Sequence, residues 1–212
     1  MHVHCKTVYF SDYLHHGYYP FYLENKKSFH QKLSEILLTV LEVDIPQYAL
    51  IQTANIVMLK KLMMVISSSV PFKPNMNSIS ERTGISLNTM KNYLKLLNDA
   101  QLLHLLYVED KGINSLGKPE KIYLHNSNLM FNLVQNADEG NVRETFFFNQ
   151  VSQSTTIVAT ANVDFKVANQ YYFELGGKNK KQKQIKNIPH SYIVKDGIEI
   201  GSDLNIPLWL FG

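Results

Sequence analysis

Residues 143–186 read RETFFFNQVSQSTTIVATANVDFKVANQYYFELGGKNKKQKQIK, and the fold turns on how this stretch is parsed. Apolar spacing predicts a helix from Arg143 to Val151, with Phe146, Phe147 and Val151 facing inward and Glu144 at its start. The β-branched run Thr155 to Ala161 predicts a buried strand. Val163 to Val167 then predicts a short strand carrying Asp164, and Gln170 to Leu175 another with Glu174 near its end. A tight turn between them would set Asp164 and Glu174 at neighbouring strand ends, and the helix could deliver Glu144 to the same point. The lysine-rich run after Gly176 and Gly177 is expected to be helical, with Ser191 to Val194 as a further strand before the apolar PLWLFG. The order β, β, β, α, β after a helix makes the fold class α/β. Converging carboxylates and a lysine at a sheet edge can bind a divalent metal and activate water against a phosphodiester.

The order Glu, then Asp in a VDF run, then Glu with a nearby Lys is similar to the PD-(D/E)xK restriction-endonuclease-like fold. RETFFFNQ, FELGGKNKKQKQI and IPLWLFG also resemble the C-terminal part of a bacterial family of AAA-type ATPases. In that family a helical segment, a winged helix and a degenerate nuclease-like domain follow the ATPase. The resemblance runs from about Tyr13 to the end of the chain. It implies catalytic roles for Glu144, Asp164, Glu174 and Lys178, with Asp164 and Glu174 ligating Mg²⁺ or Mn²⁺. Gln182 and Gln184 would reach the same site. One spacing departs from the pattern: the usual Glu-x-Lys places acid and lysine on one strand face, whereas Lys178 follows Glu174 only after Leu175, Gly176 and Gly177.

Upstream, Gly84 separates a short helix, opened by a Ser78-x-x-Glu81 capping box, from a longer one that Ser86 caps. The longer helix, Leu87 to Asp99, has an inward stripe of Met90, Tyr93, Leu94 and Leu97. LLHLLYV and KIYLHN, flanking the segment Asp110 to Glu120, supply two strands and a wing, so a winged helix is expected. Asn88, Lys91, Asn92 and Lys95 share the opposite face, where asparagine can read adenine and lysine can meet phosphate or guanine. The same face could equally be a solvated helix surface.

Further upstream, Ser28 to Gln31 forms a second capping box before a helix over residues 29–42, which Val43 to Pro46 is expected to break. Ala49 to Ser67 predicts another helix, with Met58, Met63 and Met64 as core filler. SSSVPFKPN at 67–75 reads as a hinge loop. The aromatics of residues 9–22, around GYYPFY, are expected to pack locally. His2, His4 and Cys5 lie too near the terminus, without a fourth ligand, to suggest a metal site. The organisation expected is a helical segment over 1–54, a winged helix over 55–125 and a nuclease-like α/β domain over 126–212.

Composition constrains the function. The net charge is +3, yet Lys178, Lys180, Lys181, Lys183 and Lys186 alone contribute five, leaving −2 for everything else. The basic character is therefore local, and Lys180, Lys181, Lys183 and Lys186 become candidates for holding phosphates. Only Arg82 and Arg143 are arginines, which leaves little capacity for bidentate reading of guanine. A single cysteine excludes an internal disulfide and fits a reducing cytoplasm. No apolar run is long enough to span a membrane. No G-x-x-x-x-G-K-[ST] occurs, so no ATP site of that kind is expected. Three functions remain: a DNA-binding accessory module with a degenerate nuclease-like domain, an active Mg- or Mn-dependent nuclease, or an interaction module docking an AAA-type ATPase or another copy of the chain.

Overall fold

The computed structural model describes residues 5–68, 73–109 and 118–212. Its chain order is helices first, then a two-stranded hairpin, two helices and a five-stranded sheet. The mixture of helix and sheet agrees with the α/β class.

Helix α1, Cys5–Asp12, passes into a π-helical turn over Tyr13–Gly17. Gly17 is needed there, because a Cβ would lie 2.3 Å from the Tyr13 ring. Helix α2 covers Phe29–Thr39 and buries Phe29, Leu33 and Leu37. The Ser28 capping box does not form. A 3-10 turn precedes the helix, Asn25 accepts from the Lys27 and Ser28 amides, and Gln31 donates to Glu35 instead. Nor does the helix break at Val43 to Pro46. It continues through a π-helical turn, Val40–Asp44, into α3, Ile45–Ala49. The shifted bonding register of a π turn lets a proline, which lacks an N–H, follow without stopping the helix.

Helix α4, Thr53–Ser67, buries Leu59, Leu62, Met63 and Ile66. Of the three methionines expected in the core only Met63 is there; Met58 is 38% and Met64 70% exposed. They stand one and seven residues from exposed Val57, on the outward side. Part of the 67–75 hinge, residues 69–72, lies outside the described residues, as do His2, His4 and the wing segment 110–117.

The two helices about Gly84 and the two-stranded hairpin expected from the sequence are present. Helix α5, Met76–Thr83, is capped by Asn75, whose side chain accepts from the Ser78 amide, so the cap sits three residues before the expected Ser78. Gly84 ends it at φ +74°, the left-handed conformation that suits glycine. Helix α6, Leu87–Asp99, is capped by Ser86 through the Thr89 amide and buries Met90, Tyr93, Leu94 and Leu97. Strands β1, Leu103–Leu106, and β2, Lys121–Leu124, pair antiparallel with Leu103 opposite Leu124.

Helix α7 spans Ser127–Leu133 and α8 Glu139–Ser152. Asp138 opens α8: its carboxylate accepts from the Asn141 amide, an N-cap. Buried Asn128 of α7 ties the N-terminal turn down, donating to the Tyr13 and Leu14 carbonyls and accepting from the Tyr18 amide.

The sheet runs in the order β3 Ile157–Val158, β4 Phe165–Val167, β5 Tyr171–Gly176, β6 Ser191–Lys195, β7 Asn205–Pro207. The first two pairings are antiparallel and the last two parallel. Strand β3 is a two-residue, half-buried edge and not the long buried strand expected from TTIVATA. Residues Ala168 and Asn169, both at positive φ, make the tight β4–β5 turn. The lysine run forms only a 3-10 turn at Gln182–Gln184. Like charges three residues apart oppose an α-helix there, and no apolar stripe compensates. Phe147 of α8 packs on Phe165, Phe173 and Phe211, fixing the helix on one face of the sheet. One continuous buried cluster extends from Leu14 to Leu208. No helix among the described residues is long and apolar enough to cross a membrane.

Candidate functional site

The β4–β5 hairpin and α8 bring Glu144, Asp164 and Glu174 into one neighbourhood, as the sequence anticipated. Extending the β4–β5 register by one residue sets Asp164 across from Glu174. Asp164 Oδ2 accepts a hydrogen bond of 2.8 Å from the Leu175 amide. Burial pushes the Asp164 carboxyl up to about 6, the Glu144 and Glu174 carboxylates add to the rise, and the Leu175 amide opposes it.

Each of the other two acids has its own cationic partner. Glu174, only 3% exposed, accepts from Lys180 Nζ at 2.5 Å. This corrects the assignment of Lys178, which lies exposed beside Gly197. Gly176 explains why the later lysine serves. A Cβ at Gly176 would come within 2.6–2.7 Å of the Lys180 stem, so glycine alone leaves room for that chain to fold back over β5. Glu144 sits in the second turn of α8, not at its start, and its Oε2 accepts from Lys121 Nζ at 2.9 Å and from the Tyr123 hydroxyl at 2.6 Å.

Lys121 and Tyr123 are the residues that sequence reasoning missed. They alternate on one face of β2 and cross from the β1–β2 hairpin to α8. Tyr123 is fully buried against Phe148 and Phe165, and a buried hydroxyl must find an acceptor. Burial and Glu144 push its phenol far above the usual range, so it acts as a donor. The i, i+2 spacing of KIY shows that both share a face, but their partner lies more than twenty residues away and nothing local points to it.

A divalent cation needs several free, anionic oxygens converging on one point. Here one oxygen of each acid is taken by a lysine, a tyrosine or a backbone amide, and Asp164 has a raised proton affinity. Among the described residues no group of three or more His, Cys, Asp or Glu side chains is gathered so as to hold a metal ion.

The α6 face has the opposite character. Asn88, Lys91, Asn92 and Lys95 are all exposed, and they line one wall of a groove of 620 Å³. Lys118 and Tyr107, flanking the β1–β2 hairpin, line the same groove. His104, also at the groove, is held neutral: burial and the neighbouring His125 lower it to about 4. Among the described residues, the charged groups lining the groove are Lys91, Lys95, Lys118 and Asp99. Lys181 is exposed, Gln184 lies in the exposed 3-10 turn, and Gln182, Lys183 and Lys186 line a separate cavity beside β6.

A protein-family model, described as a domain of unknown function (DUF8612), matches residues 7–139. The matched span takes in the N-terminal helices and the β1–β2 hairpin and ends on the first residue of α8. No curated protein matches the chain, and no solved structure does.

Proposed function

The chain belongs to that family of unknown function, and we propose that it is a nucleic-acid-binding module: a winged helix joined to a nuclease-like α/β unit that does not cleave. The observation that carries the proposal is the α6 groove. Four polar or basic side chains at i, i+3, i+4 and i+7 are all free to meet a ligand, while the inward stripe anchors the helix. Two lysines on the helix and a third at the hairpin give a modest electrostatic footprint, suited to DNA backbone contact with limited sequence readout.

The restriction-endonuclease-like reading of the second half is supported by α8 lying on a mixed sheet and by acids at the start of β4 and within β5. Its lack of cleavage is supported by the ion pairs that occupy Glu144 and Glu174. The resemblance to a region that follows an AAA-type ATPase makes such an ATPase the proposed partner and the cytoplasm the proposed location.

Fluorescence anisotropy with a labelled duplex tests the reading. Binding should weaken with salt at a slope of about −2.7 in log K against log salt, as expected for three neutralised phosphates. Lys91→Glu with Lys95→Glu should weaken it at least tenfold. Duplex binding indifferent to salt or to this charge reversal would overturn the proposal. Cutting in Mg²⁺ or Mn²⁺ that disappears in Asp164→Ala would overturn its non-cleaving half.

A further inference from the structure

Leu105 and Tyr107 stand two residues apart on β1 and its continuation, and both line the α6 groove. Strand alternation puts them on the side of the hairpin that faces α6, while the His104 ring stacks on Phe148 of α8 at 3.9 Å on the other side. The Asn98 side chain accepts from the Leu105 amide at 3.2 Å, which ties this edge of α6 to the strand. Lys95 and Lys91 precede Asn98 by three and seven residues, so they continue along the same edge of the helix. Lys118, leading into β2, lines the groove from the other arm of the hairpin.

The groove is more than a row of surface lysines. Leu94, Leu105 and Pro119 give it an apolar lining, with Leu94 and Pro119 buried. Tyr107 is half-buried, yet among the described residues its ring meets no other ring and its hydroxyl has no hydrogen-bond partner. Its backbone is fixed, because the Tyr107 carbonyl accepts from the Ala159 amide at 2.8 Å. Burial raises the Tyr107 phenol above its ordinary value, so the hydroxyl stays a donor. Lys91, Lys95 and Lys118 are exposed and have no ion-pair partner among the described residues.

We infer that the α6 groove takes an unpaired nucleotide at the end of a DNA duplex, its base laid on the apolar lining against Tyr107 and its flanking phosphates met by Lys91, Lys95 and Lys118. The inference rests on the reading of α6 as a DNA-binding face and narrows its ligand. A blunt duplex offers phosphates and keeps its base faces covered, so it uses the lysines and leaves Tyr107 and the apolar lining unfilled. An unpaired base exposes its π-faces for the ring and its edge for the amides of Asn88 and Asn92. An acidic peptide would use the lysines and draw nothing from the ring.

The test is anisotropy with two labelled DNAs of one sequence, a blunt duplex and the same duplex with a short thymine overhang, and with a third that carries 2-aminopurine in the overhang. The chain should bind the overhang DNA at least fivefold more tightly than the blunt one, the effect of about one stacked base. The 2-aminopurine fluorescence should change on binding. Tyr107→Leu should cut the preference to less than twofold and leave blunt-duplex affinity as it was, whereas Tyr107→Phe, which retains the ring, should retain the preference. Blunt-duplex affinity is thus the check that the variant folds, and the 2-aminopurine change in the wild type depends on no substitution. The inference is overturned if the wild type binds both DNAs equally, if 2-aminopurine fluorescence does not change, if the preference survives Tyr107→Leu, or if poly-glutamate competes as well as the overhang DNA. Blunt-duplex binding that depends on Lys91 and Lys95 without an overhang preference removes this inference alone. Binding of both DNAs untouched by Lys91→Glu with Lys95→Glu removes the α6 reading itself.

Discussion

The acid cluster at the β2–α8–β5 junction and the α6 groove both contain lysines, and they use them in opposite ways. At the junction, Lys121 and Lys180 are turned inward onto Glu144 and Glu174, and the charges are spent within the molecule. Along α6, Lys91 and Lys95 stand exposed over a groove where, among the described residues, the one acidic lining group is Asp99. A charge already neutralised at short range adds little to the field seen by a ligand, whereas an exposed one attracts phosphate and releases counterions on binding. The first region joins the β1–β2 hairpin to α8 and the sheet; the second is exposed.

The most damaging way to break the contrast is Lys180→Ala. Glu174 would keep its burial and lose the Lys180 ammonium that pairs with it, at a cost of about 3 kcal/mol. Lys178→Ala should cost less than about 0.5 kcal/mol, because that side chain is exposed. Urea denaturation of the two variants compares them directly, and equal losses would reject the pairing of Glu174 with Lys180. Next comes Glu144→Ala, which strands the Lys121 ammonium and the buried Tyr123 hydroxyl and should cost about 2 kcal/mol. Thermal melting of Glu144→Gln should show part of that loss restored, since its amide oxygen still accepts from Tyr123.

A smaller effect concerns pH. Asp164 has a folded pKa of about 6 against an ordinary value of 3.8, so the native state holds this proton more tightly than the unfolded chain. The stability it contributes is complete below about pH 4 and is lost as pH rises through about 6. Denaturant midpoints at pH 5 and pH 8 should therefore differ more in the wild type than in Asp164→Asn, which cannot ionise yet can still accept from the Leu175 amide. A variant whose difference matches the wild type would show that the carboxyl does not titrate in this way. The smallest change in stability belongs to the groove. Lys91→Ala with Lys95→Ala should leave unfolding within about 0.5 kcal/mol of wild type by urea titration while reducing duplex affinity. A loss above about 1 kcal/mol would mean that these lysines support the fold.

The two helices about Gly84 were readable because their signals are local. Ser86 caps, Gly84 takes a left-handed turn, and the Met90–Tyr93–Leu94–Leu97 stripe repeats at helical spacing, each deciding the conformation of its immediate neighbours. Two capping boxes misled for an equally local reason. Asn25 and Asn75, each three residues earlier, offered a side-chain oxygen to the Ser28 and Ser78 amides, and the sequence contains no term to rank one cap above another. The lysine helix failed because apolar periodicity was missing from KNKKQKQIK, a signal that was present but outweighed by the expected order of elements.

The sequence by itself determined the α/β class, helices α5 and α6 with their hairpin, and the convergence of Glu144, Asp164 and Glu174, because strand alternation, turn residues and helix periodicity act over a few residues. Only the tertiary structure decided which cations those acids meet. Lys121 and Tyr123 reach Glu144 from a hairpin more than twenty residues upstream, and Lys180 displaces Lys178 because Gly176 leaves space for its stem. Such choices depend on distance and excluded volume between packed elements, and spacing along the chain does not encode them.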